Sequence, residues 1–323
     1  MKTGFRTMVL AVAAVTGALA SPAAQAQAFP AKPVHLIVPN APGGSIDILA
    51  RLFSQQLQAL WGQPVIVEYK PGANNAVGTD FVAKSAPDGH TIGMVVTAHV
   101  INPSVRALPY DTVKDLSGVT LTAISNILIS ATPAFPANSL AELIAIAKKE
   151  PGKLSYASPG SGSAMHLAAE LLKSQAGIDI LHVPFKGSGP AYPEVMSGRI
   201  QLLVDPLYAS MTYVKAGKLK PLAVTGAKRA PTAPDIPSVS ETLPGFNVQS
   251  INGVVVPAAT PRPVVRRLNA DFVKVLQLPE FRSRLGEFGL EPVGNSPEEF
   301  DAYIRSEIGK WAAVVKAIGL KAD

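Results

Sequence analysis

The chain contains no cysteine among its 323 residues. Disulfides, thiolate metal sites, a cysteine nucleophile and lipid attachment at a cysteine are therefore excluded. Beyond residue 26 no apolar run reaches the roughly 20 residues that a membrane span requires. Charged residues make up 16% of the chain and aromatics 6%. No Lys/Arg run is longer than two, so no basic, aromatic-interleaved stretch is present to hold a nucleic acid. Gly-x-Ser-x-Gly is missing at the serines of the glycine-rich loops. The five histidines (35, 90, 99, 166 and 182) are dispersed with no His-x-x-x-His pair, and neither Rossmann nor Walker glycine spacing occurs. No carboxylate pair stands out for acid–base work. The sequence thus carries no signature of a metal or a cofactor, and its catalytic inventory is poor.

What is present begins with a leader. Lys2 and Arg6 precede an apolar, uncharged run from Thr7 to Ala20, and Ala24-Gln25-Ala26 and Ala26-Gln27-Ala28 are small-x-small cleavage sites. This is the pattern of a secretory signal peptide over 1–26. Removing it takes the formal charge from +6 to +4 and leaves nearly 300 residues. A chain of that length buries a large core and typically divides into two domains. The mild positive charge favours the approach of anions.

After the leader, apolar runs of strand length alternate with helical periodicity, the α/β signature. Strands are expected at Val34–Val38, Val65–Val67, Thr91–Thr97, Leu154–Ala157, Ile180–Val183, Gln201–Val204 and Leu222–Thr225. Ile46, Leu49, Phe53, Leu57 and Leu60 recur at helical spacing. Further helices are expected from Ala76 to Lys84, from a Ser139 cap to Lys149, and after residue 163 to Gly177. Ser296-Pro297-Glu298-Glu299 has the cap, N1 proline and N3 glutamate of a capping box, ahead of a long amphipathic helix. Residues 230–244 are proline-rich and read as extended loop.

Two stretches carry the functional signal: Pro42-Gly43-Gly44-Ser45 and Ser158-Pro159-Gly160-Ser161-Gly162-Ser163. Each is a run of small residues opening onto a helix. Glycines leave backbone N–H groups uncovered, and a helix start adds free donors and the positive end of the macrodipole. One such loop reads equally well as a tight turn with a cap. Two of them describe two walls closing on one small anion. Asp47 lies in the first turn after the first loop, and His166 one turn after the second, on a face shared with Glu170 and Lys173. Neutral hydrogen-bond donors are plentiful, which favours holding a ligand over transforming one.

In order and spacing these motifs resemble the extracytoplasmic solute receptors of tripartite tricarboxylate transporters, the Bug family. The resemblance is carried by Pro42-Gly43-Gly44-Ser45-Ile46-Asp47, Ala50-Arg51, Pro71-Gly72-Ala73 and Pro87-Asp88-Gly89-His90-Thr91. It continues through the glycine-serine loop with His166, Val183-Pro184-Phe185-Lys186-Gly187, Leu222-Ala223-Val224-Thr225, Asp235-Ile236-Pro237-Ser238 and Pro257-Ala258-Ala259-Thr260-Pro261. It covers nearly the whole chain after the leader. It implies a two-lobed, type II-like periplasmic-binding-protein fold, with a cleft between two α/β domains joined by two crossing segments. Lobe 1 would comprise 27–129 and 250–323, and lobe 2 would comprise 130–249. It also implies a ligand carboxylate held by backbone amides, serine hydroxyls and waters, without an arginine clamp.

The expected ligand-binding set is Pro42, Gly43, Gly44, Ser45, Asp47, Asn75, Thr97, Ser158, Gly160, Ser161, Gly162, Ser163, His166, Phe185, Lys186, Gly187 and Asp205. Asp205 is placed to meet the far end of the ligand. The chain departs from the family pattern at Asn40, at Asn74-Asn75 and at Ile251-Asn252, where the family carries an aromatic residue, a glycine and an aromatic pair respectively. These positions bear on the choice of ligand. The expected function is a monomeric periplasmic protein that captures a small mono-, di- or tricarboxylate and delivers it to membrane permease subunits, with no cofactor. A ligand sensor for a signalling partner would look the same in sequence. An exported serine hydrolase using Ser161 or Ser163 with His166 is the enzymatic alternative.

Overall fold

The computed structural model describes residues 29–43 and 45–319. The leader read at 1–26, Gly44 and the side chain of Ser45 lie outside the described residues. The chain runs β1 (Val34–Val38), α1 (Ser45–Trp61), β2 (Val65–Tyr69), α2 (Ala76–Ala83), β3 (Thr91–Val96) and α3 (Ala98–Val105). It continues with β4 (Leu116–Ala131), α4 (Leu140–Lys149), β5 (Ser155–Ser158), α5 (Ala164–Ala176), β6 (Leu181–Pro184), α6 (Ala191–Met196), β7 (Leu202–Pro206), α7 (Leu207–Lys215) and β8 (Lys220–Val224). It closes with β9 (Gln249–Pro257), α8 (Arg262–Leu276), α9 (Pro279–Glu287), β10 (Glu291–Pro292) and α10 (Pro297–Ile318).

The strands order as β2-β1-β3-β9-β4-β7-β5-β6, with β8 and β10 also pairing β4. Two parallel groups, β2-β1-β3 and β7-β5-β6, are joined through the antiparallel strands β9 and β4. β4 belongs to both halves. Its residues Leu116 to Asn126 pair with β9, and Ile127 to Ala131 pair with β7. The chain returns where Thr225 N donates to Ile127 O at 3.0 Å and Val248 N donates to Thr225 O at 2.8 Å. Gln249 is then the register partner of Asn126. The two α/β halves are therefore tied by two chain crossings that lie side by side.

The sequence dictates the layers. In α1 the apolar stripe Leu49, Phe53 and Leu57 is fully buried and packs with Val265, Leu268 and Phe272 of α8; the Phe53 and Phe272 rings are 4.8 Å apart. Phe300, Ile304 and Trp311 of α10 bury into the other core. Burying a side chain of this size contributes about 1.5–3 kcal/mol. Ser139 caps α4 by accepting Glu142 N at 3.2 Å. At α10 the capping box closes: Ser296 Oγ accepts Glu299 N at 3.2 Å and Glu299 Oε2 accepts Ser296 N at 2.8 Å. Residues 230–244 are loop apart from one 3₁₀ turn, Val239–Glu241. Among the described residues no helix is long and apolar enough to cross a membrane.

Candidate functional site

In open α/β sheets ligands bind beyond the carboxyl ends of the strands, where the following helices start. Here β2 leads to the turn before α2, β3 to α3, β5 to α5, and β7 to α7. Those four helix starts line one cavity of about 280 Å³ between the halves. The first half contributes Asn74 and Asn75 at α2 and Thr97 and Ala98 at α3. The second half contributes Gly162, Ser163 and Ala164 at α5 and Pro206 and Tyr208 at α7. Asn40, from the loop after β1, joins them. Ser125 of β4 and Ser250, Ile251 and Asn252 of β9 close the floor at the chain crossings.

Among the described residues lining this cleft there is no Lys, Arg, His, Asp or Glu. Its polarity comes from carboxamides, hydroxyls and helix starts. The amides of Ala98 and His99 in α3, and of Ala164 and Met165 in α5, head their helices and have no intrahelical acceptor. Thr97 Oγ1 accepts Ile251 N at 3.0 Å and retains its own proton for a ligand. Such groups suit an anion, which helix dipoles favour without a formal countercharge.

The carboxamides at the first wall are braced. Asn75 Nδ2 donates to Pro39 O at 3.0 Å and also to Asn40 Oδ1. Asn74 Nδ2 donates to Asn102 Oδ1 at 3.0 Å, and Asn102 Nδ2 donates back to Asn74 O at 2.8 Å. These bonds hold a turn in which Ala73, Asn74 and Asn75 all have positive φ, at 45°, 48° and 77°. Asparagine tolerates that region better than most residues.

At the second wall Gly162 has φ +73° with open space where a Cβ would stand. Its N–H donates to His166 Nδ1 at 3.1 Å. Ser163 caps α5, accepting His166 N at 3.2 Å and donating Oγ–H to Gly160 O at 2.7 Å. Behind the loop the rings of His166 and His182 stack at 4.0 Å, and Tyr156 stacks on His182 at 4.8 Å. Burial lowers the pKa of His166. Burial, with the neighbouring His166 adding, lowers that of His182 to about 4. Both imidazoles are therefore neutral at physiological pH, and the rack fixes the loop without adding charge.

Of the expected site residues, the cleft gathers Asn75, Thr97, Gly162 and Ser163. Pro42, Gly43, Asp47, Ser158, Gly160, Ser161, His166, Phe185, Lys186, Gly187 and Asp205 are not on its lining. The physical reasons are specific. Asp47 is buried and its carboxylate is committed: Oδ2 accepts Gly43 N at 2.9 Å, and Oδ1 accepts Arg51 Nε at 2.8 Å and Tyr69 OH at 2.5 Å. The amide expected to face the anion is thus spent on Asp47. Ser158 is fully buried, its Oγ 2.7 Å from His182 Nε2. Phe185 N donates to Ser158 O at 3.0 Å and Gly187 N to Pro159 O at 2.9 Å, which closes the loop onto β6, while Lys186 is exposed. Asp205 is fully buried, and accepts Ser188 Oγ at 2.5 Å, Tyr192 OH at 2.6 Å and Ser210 Oγ at 3.3 Å. It ties α6 and α7 to β7. Gly44 and the Ser45 side chain lie outside the described residues.

The departures from the family pattern at Asn40, Asn74, Ile251 and Asn252 do lie on the cleft. The floor residues Ser125 and Ser250 and the α7 start at Tyr208 belong to no sequence motif. The signal that finds them is the rule that ligands meet strand ends at a topological switch, which needs β4 and β9 to be located first. Among the described residues no three metal-ligating side chains cluster.

A model of the tripartite tricarboxylate transporter family receptor matches residues 49–320. The curated protein BugT of Bordetella pertussis is 31% identical over 317 residues, 97% of this chain and 97% of its own. Among solved structures, R. palustris Rpa4515 with adipate is 34% identical with a TM-score of 0.78, covering 91% of this chain and all of its own. MatC from Rhodopseudomonas palustris with bound malate is 31% identical with a TM-score of 0.72, covering 89% of this chain and all of its own. The fold is that of the periplasmic solute-binding proteins of this type. The chain belongs to the tripartite tricarboxylate transporter receptor family, together with the Bug proteins.

Proposed function

We propose that this protein is a monomeric periplasmic receptor that captures a small organic carboxylate and presents it to the membrane permease subunits of a tripartite tricarboxylate-type transporter. The observation that carries the reading is the cleft itself: four helix starts from two halves of the sheet, whose polar lining among the described residues is made of neutral hydrogen-bonding groups. Charge-assisted hydrogen bonds to such groups contribute about 1.5–3 kcal/mol each. Four or five of them supply the roughly 8 kcal/mol of a micromolar complex. Two related structures hold dicarboxylates, adipate and malate. The moving bodies in this reading are lobe 1, 27–129 with 250–323, and lobe 2, 130–249, closing about the paired crossings. Export would follow from the leader at 1–26.

The reading is of a binder and not of a catalyst. The hydroxyl of Ser163 is spent as a helix cap, and His166 Nδ1 accepts from a backbone amide. A thermal-shift screen against mono-, di- and tricarboxylates tests the proposal, because a specific ligand stabilises the folded state by mass action. Specific carboxylates should raise the melting temperature in a concentration-dependent way. A flat response across the panel would contradict it.

A further inference from the structure

Of the described arginines only Arg106 is part-buried, and it holds no carboxylate among the described residues. Arg51, Arg229 and Arg262, by contrast, are exposed and each lie within 2.8 Å of a carboxylate oxygen. A guanidinium drawn partly out of water is costly without a partner. The acids nearby are already engaged. Asp80 Oδ2 accepts Lys84 Nζ at 2.9 Å, and Asp111 Oδ1 accepts the amides of Val113 and Lys114 at 3.0 Å.

Arg106 follows the last residue of α3, at the end away from the cleft. With Pro109 it is shared by two adjoining cavities of about 590 Å³ and 440 Å³, which together make a groove. Val77 lines one cavity and Val113 the other, and Phe81 stands one turn beyond Val77 on α2. These three side chains are 42–49% exposed, and Lys70 Nζ sits 4.0 Å from the Phe81 ring centroid. A small acid seated in one cavity would leave this apolar rim in water, whereas a protein segment covers it. Arginine set among apolar side chains is the make-up of an interface anchor. The groove also backs onto the ligand site. Ala73 and Ala76 line it, while Asn74 and Asn75 of the same turn line the cleft.

We propose that this groove docks the membrane permease, and that Arg106 receives a carboxylate side chain carried on an apolar segment of it. This rests on the receptor reading and names the face that meets the transporter. The docked segment lies against the back of the turn that forms the first wall of the cleft. The test is photo-cross-linking in cells that make the receptor from its own locus, with benzoylphenylalanine in place of Phe81 and, separately, of Val113. Mass spectrometry should find the adduct on a permease subunit, in a segment that contains Asp or Glu. Arg106→Glu should cut the yield about tenfold or more, as loss of a desolvated charge pair does. Arg106→Lys, which keeps the charge, should retain most of it. Both variants should bind a stabilising carboxylate as the native chain does in calorimetry, because Arg106 is not on the cleft lining. No permease adduct, an adduct with a second copy of this chain, an adduct on a segment without Asp or Glu, or a yield indifferent to Arg106→Glu overturns the docking face and leaves the carboxylate reading in place. A second carboxylate seen in calorimetry and lost in Arg106→Glu would make a small acid the occupant and overturn it too. A native chain that cross-links to the permease but binds no carboxylate overturns the carboxylate reading alone.

Discussion

Gly226 donates its backbone N–H to Asn126 Oδ1 at 2.9 Å, and so bonds one chain crossing to the other. Asn126 is 2% exposed, and its Nδ2 reaches on to Glu291 Oε1 at 2.9 Å. Ser238 Oγ donates to Gly226 O at 2.5 Å. This small polar network is where the two halves of the sheet meet. It bonds the two crossings to each other and to the β10 strand through Glu291.

A Cβ on Gly226 would collide with Asn126 Oδ1. Gly226→Ala must therefore displace Asn126 and break its bonds to both neighbours. The expected cost is about 1–3 kcal/mol, the penalty for buried polar groups left unpaired. Urea denaturation reads it; an unchanged midpoint would show that the network is slack.

Asn102 is not on the cleft lining but makes two hydrogen bonds to Asn74, which is, while 1% exposed. Residues held at positive φ without being glycine cost on the order of 1–3 kcal/mol each. Asn102→Ala removes the brace, so the turn at 73–75 should relax away from the cleft. Carboxylate affinity should fall about tenfold, a loss of about 1.4 kcal/mol. Calorimetry that finds native affinity in this variant would place the turn outside the binding site.

Gly162 sits at φ +73°, with no atom within 4 Å of where a Cβ would stand. The glycine is needed for its backbone and for what it leaves open, not for lack of room. Gly162→Ala should cost about 1 kcal/mol of stability through strain. Gly162→Val should fold and abolish ligand binding, because its side chain covers the start of α5. Retained binding by a folded Val variant would contradict that wall.

Acid should weaken the fold through its histidines. Burial lowers the His99 pKa to about 4, and both of its ring nitrogens lack partners among the described residues. A histidine with a depressed folded pKa contributes full stability above its unfolded pKa near 6.5, and loses it as pH falls toward the folded value. His182 acts in the same sense down to about 4. Asp205, Glu291 and Asp301, raised by burial, act in the opposite sense. The His99 contribution is therefore read as a difference. Between pH 6.5 and 4 the native chain should lose more stability than His99→Leu in urea titrations. Parallel pH profiles would contradict the assignment.

The local elements that position the walls are readable because their signals are local. The Val34–Val38 run forms β1, Ser139 and Ser296 are caps, and the second glycine loop leads into the start of α5. The floor is not readable in the same way. β4 interleaves Ser, Thr and Asn with apolar residues, and its role depends on partners more than a hundred residues away. α3 contains Pro103, which argues against a helix, yet it begins at the cleft. At the first glycine loop the Gly43 amide is not legible from sequence for a related reason. Its sequence advertises free amides, but Asp47, four residues on from Gly43, folds back and accepts Gly43 N. Which donors remain free is a property of the assembled network.

A crystal structure of the protein with a carboxylate that stabilises it would decide how the anion is held. The carboxylate oxygens should lie against the starts of α3 and α5, at Ala98 and Ala164, with Thr97 beside them and no Lys or Arg side chain within hydrogen-bonding distance. A carboxylate held by an arginine or lysine, or seated outside the cleft between the two halves, would contradict a receptor that binds through helix starts and neutral donors.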